Sequence, residues 1–175
     1  SNTSSFSSLL ISNSLQTFPY TGTGNLQSTT YENRIHTHWY QVGGEDLNES
    51  RLEETGASGC WALDSDNNDN DDKYLQLFLG DNPVVLHGIA TKARDHGTGS
   101  QRVESYKVTY SLDGVTYNNA IPHANNTTNG IFTGNEEATK YQIVESYLDT
   151  PVQAKYVRII PKTWNEFPSM RADVI

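Results

Sequence analysis

Arg-Ile-Ile-Pro-Lys-Thr-Trp at 158–164, followed closely by Met-Arg-Ala-Asp-Val at 170–174, carries the clearest mark of the chain's architecture. Tyr156, Arg158 and Ile160 alternate with Val157 and Ile159. That is the two-residue period of a strand with one face on a core. Pro161 has no N–H for a ladder and is expected to end this strand. Trp164 then falls in a short connection with Asn165 and Pro168, and Met170 to Ile175 forms a second short run. A strand, a connection and a strand at the close of a sequence commonly seal a β-barrel or sandwich.

The same signal recurs upstream. The pattern predicts strands at Tyr74–Leu79, Val84–Lys92, Val103–Ser111, Thr116–Asn119, Ile131–Thr133, Gln142–Glu145, Lys155–Ile160 and Met170–Val174. Leu112-Asp113-Gly114-Val115 reads as a hairpin, because glycine supplies the positive φ of a tight turn. No long stretch carries a 3.6-residue apolar period. Many short strands without helices imply an all-β, antiparallel sandwich or barrel. Residues 1–14 are dominated by serine and read as a flexible leader pinned by Phe6 and Leu9-Leu10-Ile11, with one domain over 15–175.

Composition narrows the function. The 175 residues suit one domain, and three Trp and ten Tyr supply large apolar faces. A buried aromatic hides ~150–250 Å², roughly 4–6 kcal/mol gross, so Trp61 and Trp164 are expected as core anchors. A net charge of −9 with no basic stripe excludes a nucleic-acid binder and disfavours unaided docking on anionic lipid. Cys60, the single cysteine, rules out an intrachain disulfide and reads as a buried apolar thiol. No apolar run approaches ~20 residues, so no helical membrane span is expected. Sequons at Asn2, Asn48, Asn125 and Asn126 give weak support to a secreted protein.

Six ordered segments carry a family resemblance: Gly59-Cys60-Trp61, Lys73 to Gly80, Gly88 to Arg94, Val103 to Gly114, Phe132-Thr133-Gly134-Asn135, and Asp149 to Ile159. Together with the closing stretch they resemble the discoidin domain, also called the F5/8 type C domain. The resemblance covers roughly residues 50–175. It implies an antiparallel jelly-roll β-sandwich of the galactose-binding-domain-like kind, acting as a non-catalytic recognition and adhesion module at the cell surface or outside the cell. It also implies that loops at one end of the barrel grip the ligand. These map onto about Tyr31 to Asn48, Arg51 to Asp66, and Arg94 to Arg102. Many relatives staple their ends with a cysteine pair; this chain departs from them.

The resemblance gives the polar and aromatic residues of these loops expected roles. Trp39 and Tyr40 present rings that can stack on the apolar face of a sugar, though either could pack inward. Arg94 matches an arginine that lies in the sugar site of the slime-mould discoidins. Its fork can donate to vicinal hydroxyls while Asp95 accepts from them, with His96 beside it; the plainer reading is a surface pair that shapes the loop. Arg102 stands where many relatives have Trp. Asp66 completes the expected ligand set.

Asp64 to Asp72 places five carboxylates in nine residues. Oxygen donors at Asp64, Asp66 and Asn68 would suit calcium, but no glycine occupies the sixth position of an EF-hand loop. A solvated acidic loop and a calcium site stand level. His36 and His38 lack a recognisable third zinc ligand and read as surface histidines. No nucleophile elbow, His-Glu-x-x-His motif or phosphate-cradling glycine loop is present, so an enzyme is not expected and no cofactor is required. The expected partner is a galactose-type glycan. A basic peptide or cell-surface protein drawn to the acidic loop is the alternative, and lipid with calcium ranks third. Membership of a larger or oligomeric protein would supply avidity.

Overall fold

The computed structural model describes residues 71–94, 100–123 and 130–175, residues 52 and 60, and the backbone of 34–36 and 61–62. Ten strands are described: β1 (Arg34–His36), β2 (Trp61–Ala62), β3 (Leu75–Phe78), β4 (Val84–Lys92), β5 (Arg102–Ser111), β6 (Asn118–Asn119), β7 (Ile131–Thr133), β8 (Val144–Ala154), β9 (Tyr156–Asn165) and β10 (Ser169–Val174). The one helical element among the described residues is a 3-10 turn, Glu137–Thr139. The expected leader lies outside the described residues.

Every pairing is antiparallel, in two sheets. The first runs β1-β3-β9-β5-β6, with β7 also on β5; the second runs β2-β10-β4-β8. Alternation fills the space between them. Leu75, Leu77, Val157, Ile159, Tyr106 and Val108 come from the first sheet, and Leu86, Ile89, Met170, Ala172 and Val174 from the second. Tyr106 stacks on Phe132 with ring centroids 5.6 Å apart, and this pair is the aromatic centre of the core. Trp164, expected as a core anchor in a connection, is half-buried on β9 opposite Val103. Trp61 is described by its backbone alone.

Pro161 does not end its strand. β9 runs on to Asn165 because two bulges absorb the proline. Between Val103 and Ser105 the extra residue is Glu104 on β5; between Thr163 and Pro161 it is Lys162 on β9. The two slips cancel and the register is recovered. β8 also runs further than its pattern suggests, through Pro151 to Ala154. Its ladder with β4 breaks between Leu86 and Gly88. On the opposite edge of β4 the same irregularity is spanned by Ile175, just past β10: the N–H groups of His87 and Gly88 both donate to its carbonyl, at 2.7 and 3.2 Å, and its own N–H donates to the Gly88 carbonyl at 2.9 Å.

The outward face of the first sheet carries an ordered cation. The Arg158 guanidinium lies 4.2 Å from the Tyr74 ring centre and 3.7 Å from that of Tyr117, and its Nε donates to Gln76 at 2.8 Å. The tip after β5 turns at Gly114, φ 76°, where an added Cβ would also meet the Tyr156 ring at 3.1 Å. Asp113 accepts from the Thr116 and Val115 amides, which hold its carboxyl down at about 2.

Phe132-Thr133-Gly134-Asn135 shows why its residue types are needed. Phe132 fills the core, and Asn135, 1% exposed, donates from Nδ2 to the carbonyls of Thr139 and Gln142. Gly134 lies against β5, where an added Cβ would stand 2.4 Å from the Val103 carbonyl oxygen. Backbone cannot swing aside as a side chain can. Gly134→Ala is therefore expected to destabilise the domain by about 1–3 kcal/mol, read as a lower urea midpoint with unchanged slope. An unchanged midpoint would show that β5 and β7 can part freely.

Candidate functional site

The registers bring particular strand ends together. His36, at the end of β1, pairs with Leu75, at the start of β3. Antiparallel pairing of β3 with β9, and of β9 with β5, puts the start of β3, the end of β9 and the start of β5 at one pole. The end of β7 reaches the same side through Thr133 and Ser105. In the second sheet, Ala62 at the end of β2, Lys92 at the end of β4, Ser169 at the start of β10 and Val144 at the start of β8 also meet there. Connections 37–60, 63–74, 93–101, 134–143 and 166–168 therefore all leave from, or arrive at, this pole.

Described residues pin the mouths of these connections. Arg94 N–H donates to the Gln101 carbonyl at 3.2 Å, and its Nη1 donates to Gln101 Oε1 at 2.6 Å. This double contact fixes the two stems of the β4–β5 connection. Ser100 ties the same connection to the end of β9: its carbonyl accepts from Asn165 Nδ2 and its hydroxyl donates to Glu166, both at 2.8 Å. Glu166 has φ 56°, the one non-glycine residue with positive φ among those described. Such a conformation persists where its surroundings over-determine it, and these residues cluster at functional sites.

Arg102 is 4% exposed, which its charge pattern alone does not foretell. Its Nη1 donates to the Ser100 carbonyl at 3.1 Å and pairs with Glu137 at 3.1 Å, and Nη2 pairs with Glu104 at 3.1 Å. Glu137 is held in turn by Lys140 at 2.5 Å, and hydrogen bonding from that lysine lowers its carboxyl, with Arg102 adding to the effect. The cluster fastens the 3-10 turn of the β7–β8 connection onto β5. Tyr141, 68% exposed on that connection, lies under the Lys140 ammonium.

Of the expected site residues, Arg94 and Arg102 are described, both at this pole. Trp39, Tyr40, Asp64, Asp66, Asn68, Asp95 and His96 lie outside the described residues, although the connections that carry them depart from this pole. Reading the sequence missed Ser100, Gln101, Glu137, Tyr141 and Glu166. The expected loop from Arg94 to Arg102 spans Ser100 and Gln101, but no expected loop reaches Glu137, Tyr141 or Glu166. It also missed Asp71, whose carboxylate takes Lys107 at 2.7 Å and Lys162 at 2.5 Å. The acidic run is thereby tied at its far end to β5 and β9. Hydrogen bonds from Lys107, then Lys162, hold the Asp71 carboxyl below its ordinary value. A depressed carboxylate stabilises the fold above its unfolded pKa, and the contribution is lost as pH falls through the folded one. Asp71 is half exposed, so Asp71→Asn is expected to cost under ~1 kcal/mol at pH 7 and nothing at low pH, in paired urea titrations. A cost that persists in acid would mean that packing, not charge, is at work. Cys60 is buried, as its setting suggested.

A hollow of about 360 Å³ lies at the seam of β7 and β8, lined by Ile131, Thr133, Val144, Glu145 and Tyr147 among others. Among the described residues no helix is long and apolar enough to cross a membrane.

Comparison with known proteins agrees with this architecture. Bovine lactadherin is 31% identical over 127 residues, covering 72% of this chain and 28% of its own length. The chain thus spans little more than a quarter of that relative. Wild-type discoidin II of Dictyostelium discoideum superposes with a TM-score of 0.63 at 23% identity, over 81% of this chain and 53% of that one. A family 32 carbohydrate-binding module of Clostridium perfringens, solved in complex with GalNAc-β-1,3-galactose, superposes with a TM-score of 0.58 at 15% identity, over 81% of this chain and 93% of its own. These two likenesses bear on the fold. The F5/8 type C domain model matches residues 27–174, the whole sandwich described above, and the chain belongs to that family.

Proposed function

We propose that this domain is a non-catalytic recognition and adhesion module, working outside the cell or at its surface, that binds a galactose-type carbohydrate at the loop pole. The observation that carries the reading is the pinned mouth of the β4–β5 connection. Arg94 is held there by Gln101 among converging strand ends. A guanidinium fixed at the base of a loop can donate to vicinal hydroxyls with little ordering cost. The fold shared with a carbohydrate-binding module in complex with GalNAc-β-1,3-galactose supports the same ligand class. On a glycan array the domain is expected to retain terminal galactose or N-acetylgalactosamine, and calorimetry should give saturable heat with the free sugar. An array without such hits, together with no heat for either sugar, sinks the reading.

The net charge of −9 and the acidic run favour a second reading, a basic peptide captured at the same pole. Its affinity would fall as salt rises, and would be lost on changing Asp64 and Asp66 to Asn. Binding of an arginine-ended peptide that ignores both changes removes this reading.

A further inference from the structure

The flank of the loop pole, where the start of β5 meets the ends of β7 and β9, holds a polar hollow of about 580 Å³. It is lined by Arg102, Glu104 and Ser105 of β5, Thr133 of β7, Glu137 of the 3-10 turn and Thr163 of β9, with Glu136 at its rim. Its size falls within the ~300–1,000 Å³ of small-molecule sites. The paired bulges shape it. By displacing Glu104 on one strand and Lys162 on the other, they set Ser105 opposite Thr163, with the two exposed hydroxyls 2.6 Å apart.

Arg102 shows that the set of partners is incomplete. Its three contacts are all 3.1 Å, longer than the ~2.7–2.9 Å usual for charge-assisted bonds. Its Nε–H, buried with a side chain 5% exposed, has no acceptor among the described residues. A buried cation with long contacts and an orphan donor is short of an acceptor, and each such group calls for an explanation.

The lining selects the chemistry of what would supply it. An anion meets Glu104, Glu136 and Glu137; a cation meets Arg102 and, paired with Glu137, Lys140. A neutral hydroxyl meets neither objection, since it accepts from a guanidinium and donates to a carboxylate at once. We propose that this hollow is a second, lateral saccharide site, on the β5–β7–β9 flank of the loop pole and with a lining that does not include Arg94. A ring hydroxyl enters between Arg102 and Glu137, accepting from Nη1 as the carboxylate swings off its long 3.1 Å contact, while the buried Nε–H stays behind it as a reporter of the change. Its neighbour donates to Glu104, and Ser105 and Thr163 complete the hydrogen-bonding floor. The inference extends the carbohydrate reading but shares only Arg102 with the residues expected at the pole.

The test is a heteronuclear NMR titration with methyl β-galactoside and with GalNAc-β-1,3-galactose, following the Arg102 Nε–H resonance and the amides of Ser105, Thr163 and Glu137. Saturable shifts are expected at all four. In Glu104→Gln the lateral affinity should fall at least fivefold, while shifts beside Arg94 keep their midpoint. The Ser105→Ala/Thr163→Val double variant changes exposed hydroxyls only, and should weaken the lateral site without unfolding the domain. Shifts confined to the surroundings of Arg94 overturn the lateral site and leave the pole reading standing. Lateral shifts without polar ones do the reverse, and silence at both overturns both. Lateral shifts produced by arginine amide but not by either sugar would assign the hollow to a basic group and overturn the proposal.

Discussion

Arg171→Met is expected to destabilise the domain by about 3–5 kcal/mol, the usual cost of breaking a buried charged set. Arg171 is 4% exposed on β10, the strand between β2 and β4, where all six residues are buried. Alternation turns Met170, Ala172 and Val174 toward the core and Arg171 and Asp173 the other way. Arg171 donates from Nε to the Ala93 carbonyl at 3.1 Å and from Nη1 to the Leu52 carbonyl at 3.3 Å. Asp173 accepts the Leu52 N–H at 3.1 Å. Both backbone groups of Leu52 are thus satisfied by side chains of one strand. Methionine keeps much of the length but leaves two buried carbonyls without these donors, and a buried carboxylate without the cation two residues away on its own face. At ~2–4 °C per kcal/mol for a chain of this size, the melting temperature should fall by roughly 6–20 °C. A fall under about 2 °C would show that water replaces the guanidinium at little cost.

Arg94→Ala should weaken binding of a galactoside about 10- to 150-fold, with little loss of stability. The range corresponds to ~1.5–3 kcal/mol for hydrogen bonds made to a charged group. Arg94 is half-buried and its backbone N–H contact to Gln101 survives the change, so the stems of the connection stay joined. Lysine should rescue only in part, since it keeps the charge but lacks the planar fork. Calorimetric titration of the three proteins decides the matter. Equal affinities would remove Arg94 from the site and leave it as a brace for its own loop.

Much of the fold is legible in the chain because its strands alternate cleanly. Val84–Lys92 and Ile131–Thr133 lie where the pattern puts them, and Val157 and Ile159 face the core as their period requires. The prolines mislead. Pro161 sits inside β9 because a bulge on each strand removes the need for its missing N–H. Pro151 sits in the stretch of β8 that leaves its ladder with β4, between Tyr147 and Val152, where no N–H is required of it. Ile160 belongs to the outward set of its strand yet is 2% exposed. Such burial is a property of the tertiary arrangement and has no local signature.

The site was legible in outline only. A family-like motif located Arg94, but its partner Gln101 lies seven residues on, across a connection whose closure no local pattern announces. Arg102 could be named from the sequence, while its burial against Glu104 and Glu137 depends on how the β7–β8 connection packs on β5. Asp71 looked like one more charge in an acidic run. Two lysines from strands distant in sequence single it out.

Crystals of the domain saturated with GalNAc-β-1,3-galactose distinguish a sugar site at the loop pole from one elsewhere. Sugar density is expected at the loop pole, with a guanidinium nitrogen of Arg94 within hydrogen-bond distance of a ring hydroxyl. Saturated crystals with sugar only in the seam between β7 and β8, and none against Arg94, would contradict this reading.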